Sequence, residues 1–169
     1  MFKSGQYIYY ANSGLCKVEE VTHLKVSGAD RNRLYYRLTP MNSQGGTIYT
    51  PVDNQKVPMR EILNEKQAEE LIDSIPQIEE LWIPEEKQRE QSYKTALQSS
   101  DCRSWIRIIK TLYLRKQSRI SQGRKITSTD ERYLSSAEEK LYGELAVALG
   151  RKKSEMEQYI ALRIKDLEA

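Results

Sequence analysis

The hydrophobic period changes near residue 57, and few folds tolerate such a change. Before it, apolar and β-branched residues come in short runs: "GQYIYYANSGLCKVEEVTHLKV", then "LYYRLTP" and "GTIYTPV". Tyr, Val, Ile and Thr dominate these runs, as half-buried strands require. Turn residues separate them: Asn12, Ser13 and Gly14, then Ser27 with Gly28, then Gly45 with Gly46. Several short strands in under ~60 residues predict a small, bent Tudor- or SH3-like β-barrel. Such barrels offer rims and edge strands to other chains.

After residue 57 the apolar residues recur at helical spacing. Asn64 and Gln67 stand at capping-box spacing ahead of Ala68, Leu71, Ile72 and Ile75. Pro76 closes that segment, and Pro84 is placed to open the next in its first turn, with Tyr93, Ala96 and Leu97 facing inward. Asp101 precedes a helix with Trp105, Ile108, Ile109 and Leu112 at i, i+3, i+4, i+7. Ser128 with Glu131 predicts the cap of a fourth helix ended by Gly150, and Ser154 with Glu157 the cap of a fifth. The expected fold class is α+β in two domains, a barrel over residues 1–57 and a helical bundle over 58–169. Residues 58–84 form an acidic helical linker within the second.

The chemistry inventory is short. His23 is the lone histidine, on an expected strand, and Cys16 and Cys102 lack metal or disulfide spacing. Phosphate loops, nucleophile turns and zinc motifs are absent from the text, and carboxylate pairs such as Glu79 and Glu80 splay around a helix. This points to a binding protein without cofactor, metal or small-molecule substrate, not an enzyme. No apolar run approaches the ~18 residues of a membrane span, and the N-terminal residues lack a signal's apolar core, so a cytoplasmic protein is expected.

Charge is distributed unevenly. Residues 57–90 carry four Lys/Arg against ten Asp/Glu, whereas residues 91–132 carry ten against three. A basic block of that density suits a polyanion, although a solvated helix face has the same composition. Arg103, Arg107 and Lys110 lie off the buried stripe of their helix; Arg115, Lys116 and Arg119 continue the charge to its end. Arg124 and Lys125 follow in a loop beside the next helix N-terminus, where free N–H groups favour phosphate. Trp82 stands in "ELWIPEEKQREQSYK", an aromatic ring at the edge of a charge run. It either anchors a small core or is held out for a partner.

The segments "FKSGQYIYYANSGLCKVEEV" and "TIYTPVDN" resemble the N-terminal module of the CarD family of bacterial transcription regulators, a module shared in part by transcription-repair coupling factors. "YKTALQSSDCRSWIRIIKTLYLRKQSR" and "ERYLSSAEEKLYGELAVALG" resemble that family's helical half. The resemblance implies a Tudor-like domain that docks on the RNA polymerase β subunit by a sheet edge, with Tyr49, Thr50 and Pro51 on the docking strand. It also implies a helical domain that contacts promoter DNA at the upstream edge of the bubble and stabilises the open complex. Lys94 matches a family DNA contact beside Tyr93. The family's minor-groove tryptophan corresponds in position to Arg89, with Trp82 further upstream. Two arrangements are therefore open: Trp82 reaches the groove, or Trp82 packs the linker while Arg89 enters it. The competing reading of the whole chain is an adaptor that binds polymerase, or another protein, without touching DNA.

Overall fold

The computed structural model describes residues 1–11, 13–28, 30–41 and 46–168, the last without its side chain. The turn residue Asn12 and the punctuating Gly45 lie outside the described residues. Two compact units divide the chain, Met1–Ile62 and Leu63–Ala169.

In the first unit β1 (Tyr7–Tyr10), β2 (Gly14–His23), β3 (Leu34–Pro40), β4 (Ile48–Pro51) and β5 (Met59–Glu61) form one antiparallel sheet in the order β4-β3-β2-β1-β5. Period-two patterning sets the faces. Cys16 and Val18 on β2, and Tyr36 and Leu38 on β3, are buried in one cluster with Ile8 and Tyr10 of β1. A register shift between Val18 and Glu20 bends β2 midway, as a bulge does. β5 pairs with β1 through Ile8 and Glu61, so the sheet continues past residue 57. Burial pushes the Cys16 thiol up to about 11, which suits a small buried apolar group.

In the second unit, α1 (Glu65–Ser74) starts on the Asn64–Gln67 capping box, with both reciprocal bonds made. It yields at Ile75–Gln77 to a single 3-10 turn around Pro76. α2 (Arg89–Gln98) follows a 3-10 turn at Glu86–Gln88. Glu85 is extended, so Pro84 lies ahead of the helical residues rather than in a first turn. α3 (Cys102–Ser121) is capped by Asp101, whose carboxylate accepts the Arg103 N–H. α4 (Ser128–Leu149) is capped by Thr127, not Ser128: Thr127 has the extended backbone, and its hydroxyl accepts the Asp130 N–H at 3.1 Å. Gly150 ends α4 at φ 64°, the left-handed conformation a glycine adopts without a Cβ penalty. α5 (Met156–Glu168) grows from a 3-10 turn at Lys153–Glu155, so Ser154 has turn backbone and does not cap it.

The helices meet on Tyr93, Ala96, Ile108, Leu112, Tyr133, Leu134 and Ala137. Trp105 is fully buried, and its indole N–H donates to the Ser99 carbonyl at 3.0 Å. Arg163 of α5 grips Asp73 of α1 with Nη2 at 2.9 Å from Oδ2 and Nε on the other oxygen. Lys110 turns inward: its ammonium donates to the carbonyls of Ile75 (2.7 Å) and Ile78 (2.6 Å), closing off the orphan acceptors after α1. Lys110 is thereby removed from the outward-facing cations expected on α3. No helix among the described residues is long and apolar enough to cross a membrane.

Candidate polymerase and nucleic-acid surfaces

In the sheet unit, β4 is an edge strand paired on one side with β3. The Val52 N–H bonds to the Leu34 carbonyl at 3.0 Å, which sets the alternation of the ladder. With that register, Thr50 opposite Tyr36 directs its backbone groups inward to β3, while Tyr49 opposite Arg37 directs its own outward. Side chains follow the same alternation. Thr50 is buried, Pro51 half-buried, and Tyr49 is 48% exposed. The exposed tyrosine, with its outward N–H and C=O, is therefore the part of this strand able to meet another chain; Thr50 packs the sheet. Glu20, Arg37 and Tyr49 lie side by side across three strands, with Arg37 Nε 3.1 Å from Glu20. Arg37 is not legible in the sequence as a neighbour of Tyr49, because only the pairing register sets the two side by side.

In the helical unit, Trp82 projects while its neighbours hold the chain. Leu81 and Ile83 pack on the helical core, and the Leu81 N–H donates to the Thr111 hydroxyl at 2.8 Å. With the partly buried side chains on either side packed inward, the residue between them faces out. The indole is 80% exposed. It borders an open groove of about 550 Å³ lined also by Gln88 of the turn before α2, by Gln91, Ser92 and Thr95 of α2, and by Ser104 of α3. The groove wall thus offers amides and hydroxyls beside an aromatic face.

The expected cations separate into two groups. Lys94, Arg124 and Lys125 are exposed, as are Arg103 and Arg107. Arg107 stands three residues beyond Ser104, a groove-lining residue, on the same helical face. Its spacing from Ser104 is visible in the sequence, but the groove that gives the spacing meaning is not.

Other cations are held by the protein itself. Arg115 Nε donates to the buried Asp130 carboxylate at 2.7 Å, and its Nη2 lies 3.2 Å from Glu86. Arg89 Nε donates to the same Glu86 oxygen at 2.9 Å, and its Nη1 to the Tyr93 hydroxyl at 2.8 Å. Hydrogen bonding from Arg89 keeps the Glu86 carboxyl below the usual carboxylate range. Arg119 Nε donates to the Lys125 carbonyl at 2.8 Å and closes the turn between α3 and α4. Lys116 is half-buried and acts electrostatically on Glu138. The first turn of α4 carries Asp130 and Glu131, so its own carboxylates already occupy the positive helix end beside Arg124 and Lys125. Among the described residues no group of His, Cys, Asp and Glu could hold a metal ion.

No curated protein matches the chain. Residues 2–63 match a family model described as CarD-like/TRCF RID domain, a span that covers every strand of the sheet unit. That family is one of RNA polymerase-interacting transcription factors, and its domain works by protein interaction. Residues 2–63 of this chain are therefore a CarD-like/TRCF RID domain.

Proposed function

We propose that the sheet unit docks on the β subunit of RNA polymerase through the β4 edge, and that the helical unit then contacts promoter DNA at the upstream edge of the bubble. Trp82 wedges into the minor groove while Lys94, Arg107 and their exposed neighbours neutralise phosphates, and the open complex is stabilised without base readout. One observation carries the DNA half of this reading: an indole 80% exposed between two partly buried neighbours that pack on the helical core. A ring presented in that way serves as an apolar wedge, and wedging offsets the few kcal/mol needed to unstack a base step. Of the two arrangements open in the sequence, this exposure favours Trp82. Arg89 is engaged by Glu86 and Tyr93 and offers less of its side chain. Weak DNA binding suffices, because tethering raises the local concentration to roughly the mM range.

For the polymerase half, Tyr49→Ala is expected to lower affinity for RNA polymerase about ten- to thirtyfold, the loss typical of an exposed aromatic anchor. Its exposure keeps the effect on folding small. Capture of purified polymerase by the full chain measures this, and undiminished capture would move the docking surface off β4. For the DNA half, Lys94→Ala is expected to weaken binding to all duplex sequences alike and to reduce the slope of log affinity against log salt by about one. A sequence-selective loss would contradict it.

The capture of Arg89, Arg115 and Arg119 by internal partners favours a second reading, an adaptor that meets polymerase and never touches DNA. The decay of open promoter complexes with and without the protein separates the two. An adaptor is retained by polymerase and leaves the decay rate unchanged.

A further inference from the structure

Two guanidinium groups converge on one exposed oxygen. Glu86 Oε1 accepts from Arg89 Nε at 2.9 Å and lies 3.2 Å from Arg115 Nη2. Each arginine is fixed from behind by a partner rooted in the core. Asp130, 5% exposed, takes Arg115 Nε, and the hydroxyl of fully buried Tyr93 takes Arg89 Nη1. Glu86 is different. Its side chain is 67% exposed and starts from a one-turn 3-10 helix with no buried residue, so it can swing away without disturbing packing. The arginines are thus preorganised and the carboxylate between them is loosely held, an arrangement that fits an anion-binding pair occupied by a surrogate. Asp130 offsets one of the two positive charges. With Glu86 in place the four groups are balanced, and with Glu86 displaced they carry one net positive charge facing solvent.

We infer that Arg89 and Arg115 form a two-arginine site for a single phosphate group, which binds by displacing the Glu86 carboxylate. The inference deepens the DNA half of the proposed function and rests on it only for the source of the phosphate, a phosphodiester of the DNA backbone. It also makes Glu86 a brake. Part of the DNA affinity is spent on moving this carboxylate, so contact is weak until the polymerase tether supplies a high local concentration.

The test uses the full chain, a short duplex of arbitrary sequence and inorganic pyrophosphate. Glu86→Gln is expected to tighten duplex binding about threefold to tenfold, the scale of an exposed ion pair no longer to be broken. Glu85→Gln removes the same charge one residue away, from a side chain paired with Lys87, and is expected to change binding less than about twofold. The gain should vanish when Glu86→Gln is combined with Arg89→Gln. Equal gains from the two single variants, or none from Glu86→Gln, would overturn the inference. In parallel, pyrophosphate should shift the Nε–Hε resonances of Arg89 and Arg115, and more strongly in Glu86→Gln. Such shifts with no duplex binding by any variant would leave the arginine site standing and refute DNA as its ligand. Unmoved resonances, with the Trp82 and Lys94 effects intact, would refute the site and spare the DNA reading.

Discussion

Replacing Trp105 with alanine is expected to destabilise the helical unit by about 3–5 kcal/mol, the usual cost of emptying an aromatic site in a packed core. The indole is fully buried, and its N–H satisfies the Ser99 carbonyl at the end of α2, so truncation leaves both a cavity and an unmet acceptor. Thermal unfolding followed by far-ultraviolet circular dichroism measures the loss, because the helical signal comes from this unit. A shift within the range of a surface substitution would mean that α3 does not rest on this ring.

The second tryptophan should behave in the opposite way. Trp82→Ala is expected to shorten the lifetime of open promoter complexes about tenfold or more, since the wedge is assigned a few kcal/mol of unstacking and ~1.4 kcal/mol corresponds to a factor of ten in rate. The same substitution should leave unfolding within about 0.5 kcal/mol of wild type, because the removed side chain is 80% exposed. Open-complex decay on a linear promoter fragment provides the first measurement and the melting curve the second. An unchanged lifetime together with a large fall in melting temperature would return Trp82 to a packing role and transfer the groove to Arg89.

These two residues show why some of the site is readable from the sequence and some is not. Trp105 belongs to an i, i+3, i+4, i+7 series, and the series alone places it inside. Trp82 belongs to no series. Its exposure follows from the packing of its partly buried neighbours Leu81 and Ile83 on the helical core, and from the Thr111 hydroxyl that holds the Leu81 N–H. The choice of helix caps has a similar origin. Thr127 and Ser128 are chemically equivalent caps in the sequence, and the backbone angle of Thr127 decides between them. Thr50 and Tyr49 are neighbours on one strand, yet only the pairing register turns one into the core and the other out of it.

By itself the sequence determined the change from strands to helices, the capping box at Asn64, the glycine stop at Gly150 and the buried stripe of α3, but not β5, which lies past the change of period. All of these are local, governed by residues within one or two turns of each other. Tertiary structure alone decided which cations remain available. Lys110 is spent on the carbonyls after α1, and Arg115 is anchored by Asp130 and covered by Glu86, whereas Lys94 and Arg107 stay exposed. The reason is physical: a charge in the sequence has a sign but no neighbours, and pairing needs contacts of a few ångströms that folding alone creates between distant segments.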